Sequence, residues 1–154
     1  MTLQDALDDI GLDTVVKSTG SKGLHATVPL DGTASYAQTK AFARTTARLL
    51  ERHWPDLVVA ESSKAKRRGR VFVDWSQNDQ FKSNIAPYSL RGKLARPTVA
   101  SPLTWSEVDN AITLGDPCLL LFGPDEALER LRQLGELHAS AVRPTQTLTG
   151  WTST

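Results

Sequence analysis

The chain holds a single cysteine, Cys118, in 154 residues. No disulfide can therefore form within it, and one cysteine with no paired histidine spacing argues against a zinc site. Apolar runs are short, none approaching the ~18 residues a membrane span needs. The N-terminus is acidic and polar, unlike the basic-then-apolar start of a secretory signal. Net charge is also scarce, with a formal sum of +1, so no global field marks a nucleic-acid or membrane surface. Internal repeats are missing. These absences point to a protein of a reducing cytoplasm, and 40% hydrophobic residues suffice for one core. Cys118, inside the apolar run "CLLLF", is expected to be a buried structural thiol.

What is present is a local asymmetry of charge. Asp5, Asp8, Asp9 and Asp13 crowd the first residues with no Lys or Arg among them. Between Glu61 and Ala100 stand nine basic residues against Glu61, Asp74 and Asp79. Hydrophobic spacing predicts a short helix in "TLQDALDDIG", with Thr2 as N-cap, Leu3, Ala6, Leu7 and Ile10 on its apolar face and Gly11 as its stop. "DTVVKST" and "LHATVPL" around "GSKG" predict a hairpin. The main amphipathic helix is expected from Ser35 to Trp54, ended by Pro55. "LVVAES" and "RVFVDWS" read as strands about a basic turn. "NIAPYSLRGKLARPTVASPLTW" should be mostly irregular, "TWSEVD" a short helix capped by Thr104 and Glu107, and "GPDEALERLRQLGEL" a late helix. The pattern favours an α+β fold, a mixed or antiparallel sheet with flanking helices. The expected division is a domain over 1–141 and a weakly ordered tail over 142–154.

Two stretches could do chemistry. "KSTGSKGLH", Lys17 to His25, offers the Thr19 and Ser21 hydroxyls, Gly20 and Gly23 with N–H groups free to turn toward a ligand, Lys22 and His25. Those are the parts of a phosphate-holding turn, although the spacing is not that of a P-loop. In "VFVDWSQN", Asp74 interrupts a run of β-formers, so it is either paired with an arginine such as Arg70 or Arg91, or is a metal ligand or general base. One carboxylate does not make a hard-cation site. The aromatics Phe72, Trp75, Phe81 and Tyr88 lie among cations, a mixture able to hold nucleic acid, with Phe72 favoured as core and Trp75 open. Lys64, Lys66, Arg67 and Arg68 are the basic turn. His53 and His138 read as solvent-facing or capping.

"STGSKGLHATVPL", "VFVDWSQN" and "APYSLRGKLARPTVASPLTW" resemble, in order, blocks of the primase-polymerase domain of bacterial DNA ligase D, of the archaeo-eukaryotic primase superfamily. The resemblance implies an RRM-like fold and nucleotide addition to DNA ends in non-homologous end joining. It implies Mg²⁺ or Mn²⁺ held by an Asp-x-Asp pair and a third aspartate, which Asp74 matches. It further implies that Thr19, Lys22, His25 and Arg91 bind the incoming nucleoside triphosphate, with Thr19 replacing the family's serine. No Asp-x-Asp occurs in the sequence. The chain is therefore expected to correspond to the C-terminal half of that domain and to be nearly inactive alone, complemented by a separately encoded N-terminal half or a homodimer. The alternatives are a non-catalytic module that binds nucleotide or DNA ends, and a truncated relic.

Overall fold

A computed structural model of the protein describes residues 3–92, 94–143 and 145–148. Thr2, expected as an N-cap, lies outside them, as do 149–154 of the expected tail. The chain divides into two compact units, Met1–Pro29 with Ile85–Gln146, and Leu30–Asn84 with Thr147–Thr154. The architecture is mixed α+β, with small sheets and flanking helices.

The first unit opens with α1 (Leu3–Asp8). Ile10, expected on its buried face, is exposed because the helix ends before it, and Gly11 turns the chain at φ +74°. The hairpin forms as read: β1 (Val15–Ser18) pairs antiparallel with β2 (Leu24–Thr27), Lys17 standing opposite His25. The other edge of β1 pairs with a third strand, so β1 is the centre of a three-stranded sheet. That strand, β7 (Pro102–Leu103), comes from the segment expected to be irregular, as do β5 (Leu90–Arg91) and β6 (Thr98–Val99), which pair with each other. This stretch therefore holds three strands where none was expected. Each of these strands spans two residues, too short for an alternating pattern to register.

Thr104 and Glu107 form the expected reciprocal cap, but the helix they start, α3 (Trp105–Leu114), is longer than expected and runs to Gly115 in the left-handed region. It lays Val108 and Ala111 on Val16, Leu103 and Leu120, forming the core of the unit. Cys118 is exposed, against expectation. A 3₁₀ turn over Pro117–Leu120, capped by Asp116, points Leu120 inward and leaves the thiol outside. The late helix is α4 (Pro124–Leu134), and α5 (Ala139–Val142) follows. From α4, Arg130 grips the Glu107 carboxylate and the Pro102 carbonyl and lies 4.1 Å over the Phe122 ring. Gln146 binds both the backbone N–H and the C=O of Asp13, and its own N–H reaches the Pro29 carbonyl.

In the second unit α2 (Tyr36–His53) is capped by Ser35 and Gln38 and buries Ala47 and Leu50. Strands β3 (Val58–Val59) and β4 (Val71–Phe72) pair parallel. A 3₁₀ turn over Trp75–Gln77 follows. The Trp75 indole N–H donates to the Ala60 carbonyl at 2.9 Å, and Lys40 pairs with Asp79. No helix among the described residues is long and apolar enough to cross a membrane.

Candidate functional site

The turn that joins β1 to β2 is closed by its own groups. The Thr19 N–H donates to the Gly23 carbonyl at 2.9 Å, and the Gly23 N–H donates to Thr19 Oγ1 at 3.3 Å. The Gly20 N–H reaches Ser18 Oγ at 3.4 Å. Both glycine N–H groups, expected to face a ligand freely, are thus engaged in shaping the turn. The Thr19 hydroxyl keeps its proton to donate, and Lys22 is exposed. Gly20 sits at φ +63°, packed against Arg91 of β5, with its carbonyl held by the Thr98 hydroxyl at 2.6 Å.

Behind this turn the sheet gathers cations. Lys17, at 4% exposure, is enclosed by β2 and β7, and its Nζ has no hydrogen-bond partner among the described residues. Arg91 Nε and His138 Nδ1 are also buried without partners. His138, read as solvent-facing or capping, is 7% exposed. Although it stands at the start of α5, its ring makes no capping bond.

The charges act on one another. Burial first, and then Arg91, lowers the Lys17 ammonium to about 8. Burial, then Lys17 and Arg91, holds the His25 imidazole below its ordinary value. His138 is lowered by burial and by Lys17, against the pull of Glu136. Glu136 Oε1 accepts from the Tyr88 hydroxyl at 3.1 Å and from the His138 backbone N–H at 2.8 Å. Burial and the Glu136 charge push Tyr88 up to about 12, keeping its phenol protonated. A buried cation without an anion is costly, and Lys17 Nζ and Arg91 Nε are two such atoms in one unit.

Thr19, Lys22, His25 and Arg91 all belong to this first unit, as do Lys17 and His138, which the sequence reading did not name as site residues. A lysine at the middle of a buried strand was the available signal for Lys17. His138 follows a helix in a polar stretch, and nothing in the sequence pattern sets it apart.

Asp74 belongs to the second unit. It is exposed, not strand-buried, because β4 ends at Phe72 and Asp74 caps the 3₁₀ turn that follows. Its Oδ1 accepts from the Ser76 hydroxyl at 2.5 Å and backbone N–H at 3.2 Å, and Oδ2 from the Gln77 amide at 3.1 Å. Partial desolvation pushes this carboxyl up, but the Ser76 and Gln77 bonds and the Arg67 charge outweigh it, leaving a net lowering. The sequence reading named Arg70 or Arg91 as its cation; within its own unit the charge acting on it is that of Arg67. Among the described residues no three His, Cys, Asp or Glu side chains gather as a metal site. A hard divalent cation takes about six oxygen ligands, several from carboxylate or phosphate. The donors present do not fit a Mg²⁺ or Mn²⁺ pair by themselves.

The basic turn divides by exposure. Lys64 and Arg68 stand in solvent, Lys66 pairs with Glu61 at 2.6 Å, and the Arg67 guanidinium lies 3.7 Å over the Phe72 ring. Nearby, Arg44, Arg48, Phe72 and Trp75, together with the carboxylates Glu51 and Glu61, line a cleft of about 350 Å³, with the Arg44 guanidinium 5.1 Å from the Trp75 ring centre. Such an array offers both stacking and phosphate contact.

The chain matches the family described as LigD, primase-polymerase domain, over residues 1–138. The multifunctional non-homologous end joining DNA repair protein LigD of Mycobacterium tuberculosis is 46% identical over 135 residues, which are 88% of this chain and 17% of that protein. The bifunctional non-homologous end joining protein LigD of Bacillus subtilis is 31% identical over 134 residues, 86% of this chain and 21% of that one. Among solved structures, the polymerase domain from Mycobacterium tuberculosis ligase D in complex with DNA superposes with a TM-score of 0.81 at 43% identity, covering 93% of this chain and 48% of that one. This chain therefore spans less than a quarter of those two LigD proteins and under half of the solved domain.

Proposed function

The chain belongs to the primase-polymerase family of LigD, and from that premise we propose that it supplies the triphosphate grip of a nucleotidyltransferase working on DNA ends, in the end joining for which its relatives are named. The observation that carries this reading is the Lys17 ammonium and the Arg91 guanidinium nitrogen buried without partners behind the Thr19–Gly23 turn, with the His25 imidazole opposite Lys17 on the next strand. Thr19 donates its hydroxyl to a phosphate oxygen, Lys22 closes over the ligand from solvent, and Arg91 offers its planar fork. Asp74 is the one carboxylate assigned to metal, and the further ligands come from a complementing segment or a second copy of the chain. The chain alone then binds nucleotide without extending a primer.

Calorimetric titration with a nucleoside triphosphate, with and without Mn²⁺, is expected to show binding, while a primer-template assay of the same sample shows no added nucleotide. Absence of heat at millimolar ligand would remove the grip. Primer extension by the chain alone would show that its metal site is complete without a partner.

Lys64 and Arg68 are proposed to face the DNA backbone, together with Lys66 and Arg67, which are partly committed to Glu61 and Phe72. Replacing Lys64 and Arg68 by alanine should lower the slope of log affinity for DNA against log salt by about two. An unchanged slope would take the turn off the contact surface.

A further inference from the structure

We propose that Lys17 and His138 are the inner members of the anion site, so that a polyphosphate entering beside His25 and Arg91 supplies the negative charge that the buried, partnerless Lys17 ammonium lacks. This rests on the reading of the first unit as a triphosphate grip, and adds to it two residues outside the four matched by resemblance. Three observations converge. Lys17 lies mid-sheet, opposite His25 on one side and Pro102 on the other, with its ammonium buried and without a hydrogen-bond partner. Its charge acts on both His25 and His138, and the Arg91 charge acts on Lys17. Arg91 and His138 each bury a ring or guanidinium nitrogen with no partner. Glu136, the carboxylate that acts on His138, is engaged by Tyr88 and by the His138 backbone.

A lysine kept for the fold would be paired, and its loss would destabilise. A lysine kept for a ligand burdens the free protein and helps the complex. Lys17→Met separates the two roles, since methionine fills the strand position without charge. Its melting temperature is expected to equal or exceed that of the parent, while affinity for a nucleoside triphosphate and for inorganic tripolyphosphate falls about tenfold or more. The pH dependence gives a second readout. Parent affinity should fall as pH rises through about 8, where the ammonium loses its proton, whereas Lys17→Arg keeps its charge and holds its affinity there. His25 and His138, both held below their ordinary value, are neutral in that range, so neither imitates the step.

The outcomes are distinct. If Lys17→Met binds like the parent while Arg91→Ala does not, the inner role of Lys17 is overturned and the grip stands. If Lys17→Met fails to fold, Lys17→Arg decides, and the same alkaline loss in that variant overturns the proposal. Binding of tripolyphosphate without nucleotide overturns the nucleotide reading and keeps the anion site. Binding of neither overturns both. A 5′-phosphorylated oligonucleotide with the same Lys17 dependence, where tripolyphosphate has none, would overturn the polyphosphate assignment.

Discussion

Arg91→Ala is expected to lose about two orders of magnitude in affinity for a nucleoside triphosphate, because two charge-assisted hydrogen bonds at about 1.5 kcal/mol each convert to that factor. The same change should alter stability little. Arg91 makes no ion pair among the described residues, its Nε is buried without a partner, and its charge opposes that of Lys17. Truncation thus removes a repulsion along with some packing of the stem on Gly20, and the sum should stay within about 1 kcal/mol. Arg91→Lys should fall between the two, since an ammonium keeps the charge and loses the planar fork. Titration calorimetry read beside a thermal melt checks this, and a melting temperature that collapses with the affinity would make Arg91 a structural residue.

The second large effect belongs to Gly20. A methyl group there would meet Arg91 Cγ at 2.8 Å, the Ala100 nitrogen at 3.0 Å and the Val99 carbonyl carbon at 3.0 Å. The last two are backbone atoms of the neighbouring β6 strand and its continuation, which cannot swing aside. The position also sits at φ +63°, where a Cβ costs about 1–2 kcal/mol before any contact is made. Overpacking adds about as much again, so Gly20→Ala should destabilise by about 3 kcal/mol and lower the melting temperature by roughly 10 °C. Gly69→Ala is the control: its φ is +72° but nothing lies within 4 Å of the added methyl, so it should lose only the conformational part. Equal melting temperatures for the two variants would show that the contact with β6 and Arg91 is not tight.

The parts of the fold legible in the sequence are those that local chemistry dictates. Thr104 and Glu107 bond to backbone within a few residues of themselves, so their cap needs no tertiary information; the same device at Ser35 and Gln38 was not among the expectations. The β1–β2 hairpin likewise follows from two β-rich runs around a glycine turn. Strands β5, β6 and β7 escaped because two residues have no period, and their pairing is set by partners far along the chain. The same limit governs the site. "VFVDWS" reads as one strand, yet the chain leaves β4 after Phe72, and Asp74 stands beyond it as the exposed cap of a 3₁₀ turn. Thr19, Lys22, His25 and Arg91 were reached through a resemblance carried by quoted blocks. Lys17 stood inside one of the stretches already singled out, but that its ammonium lacks a partner depends on what surrounds it in space. His138 takes its importance wholly from burial.

The exposure of Cys118 has a practical side. As the sole thiol of the chain, standing on the outer side of a 3₁₀ turn, it is a unique handle for a fluorophore or spin label, with no other cysteine to compete for the reagent. Air oxidation can equally join two molecules through it. A covalent pair of that kind would counterfeit the self-association that a complementing second copy requires, so the oligomeric state of this protein has meaning only when measured with a reductant present.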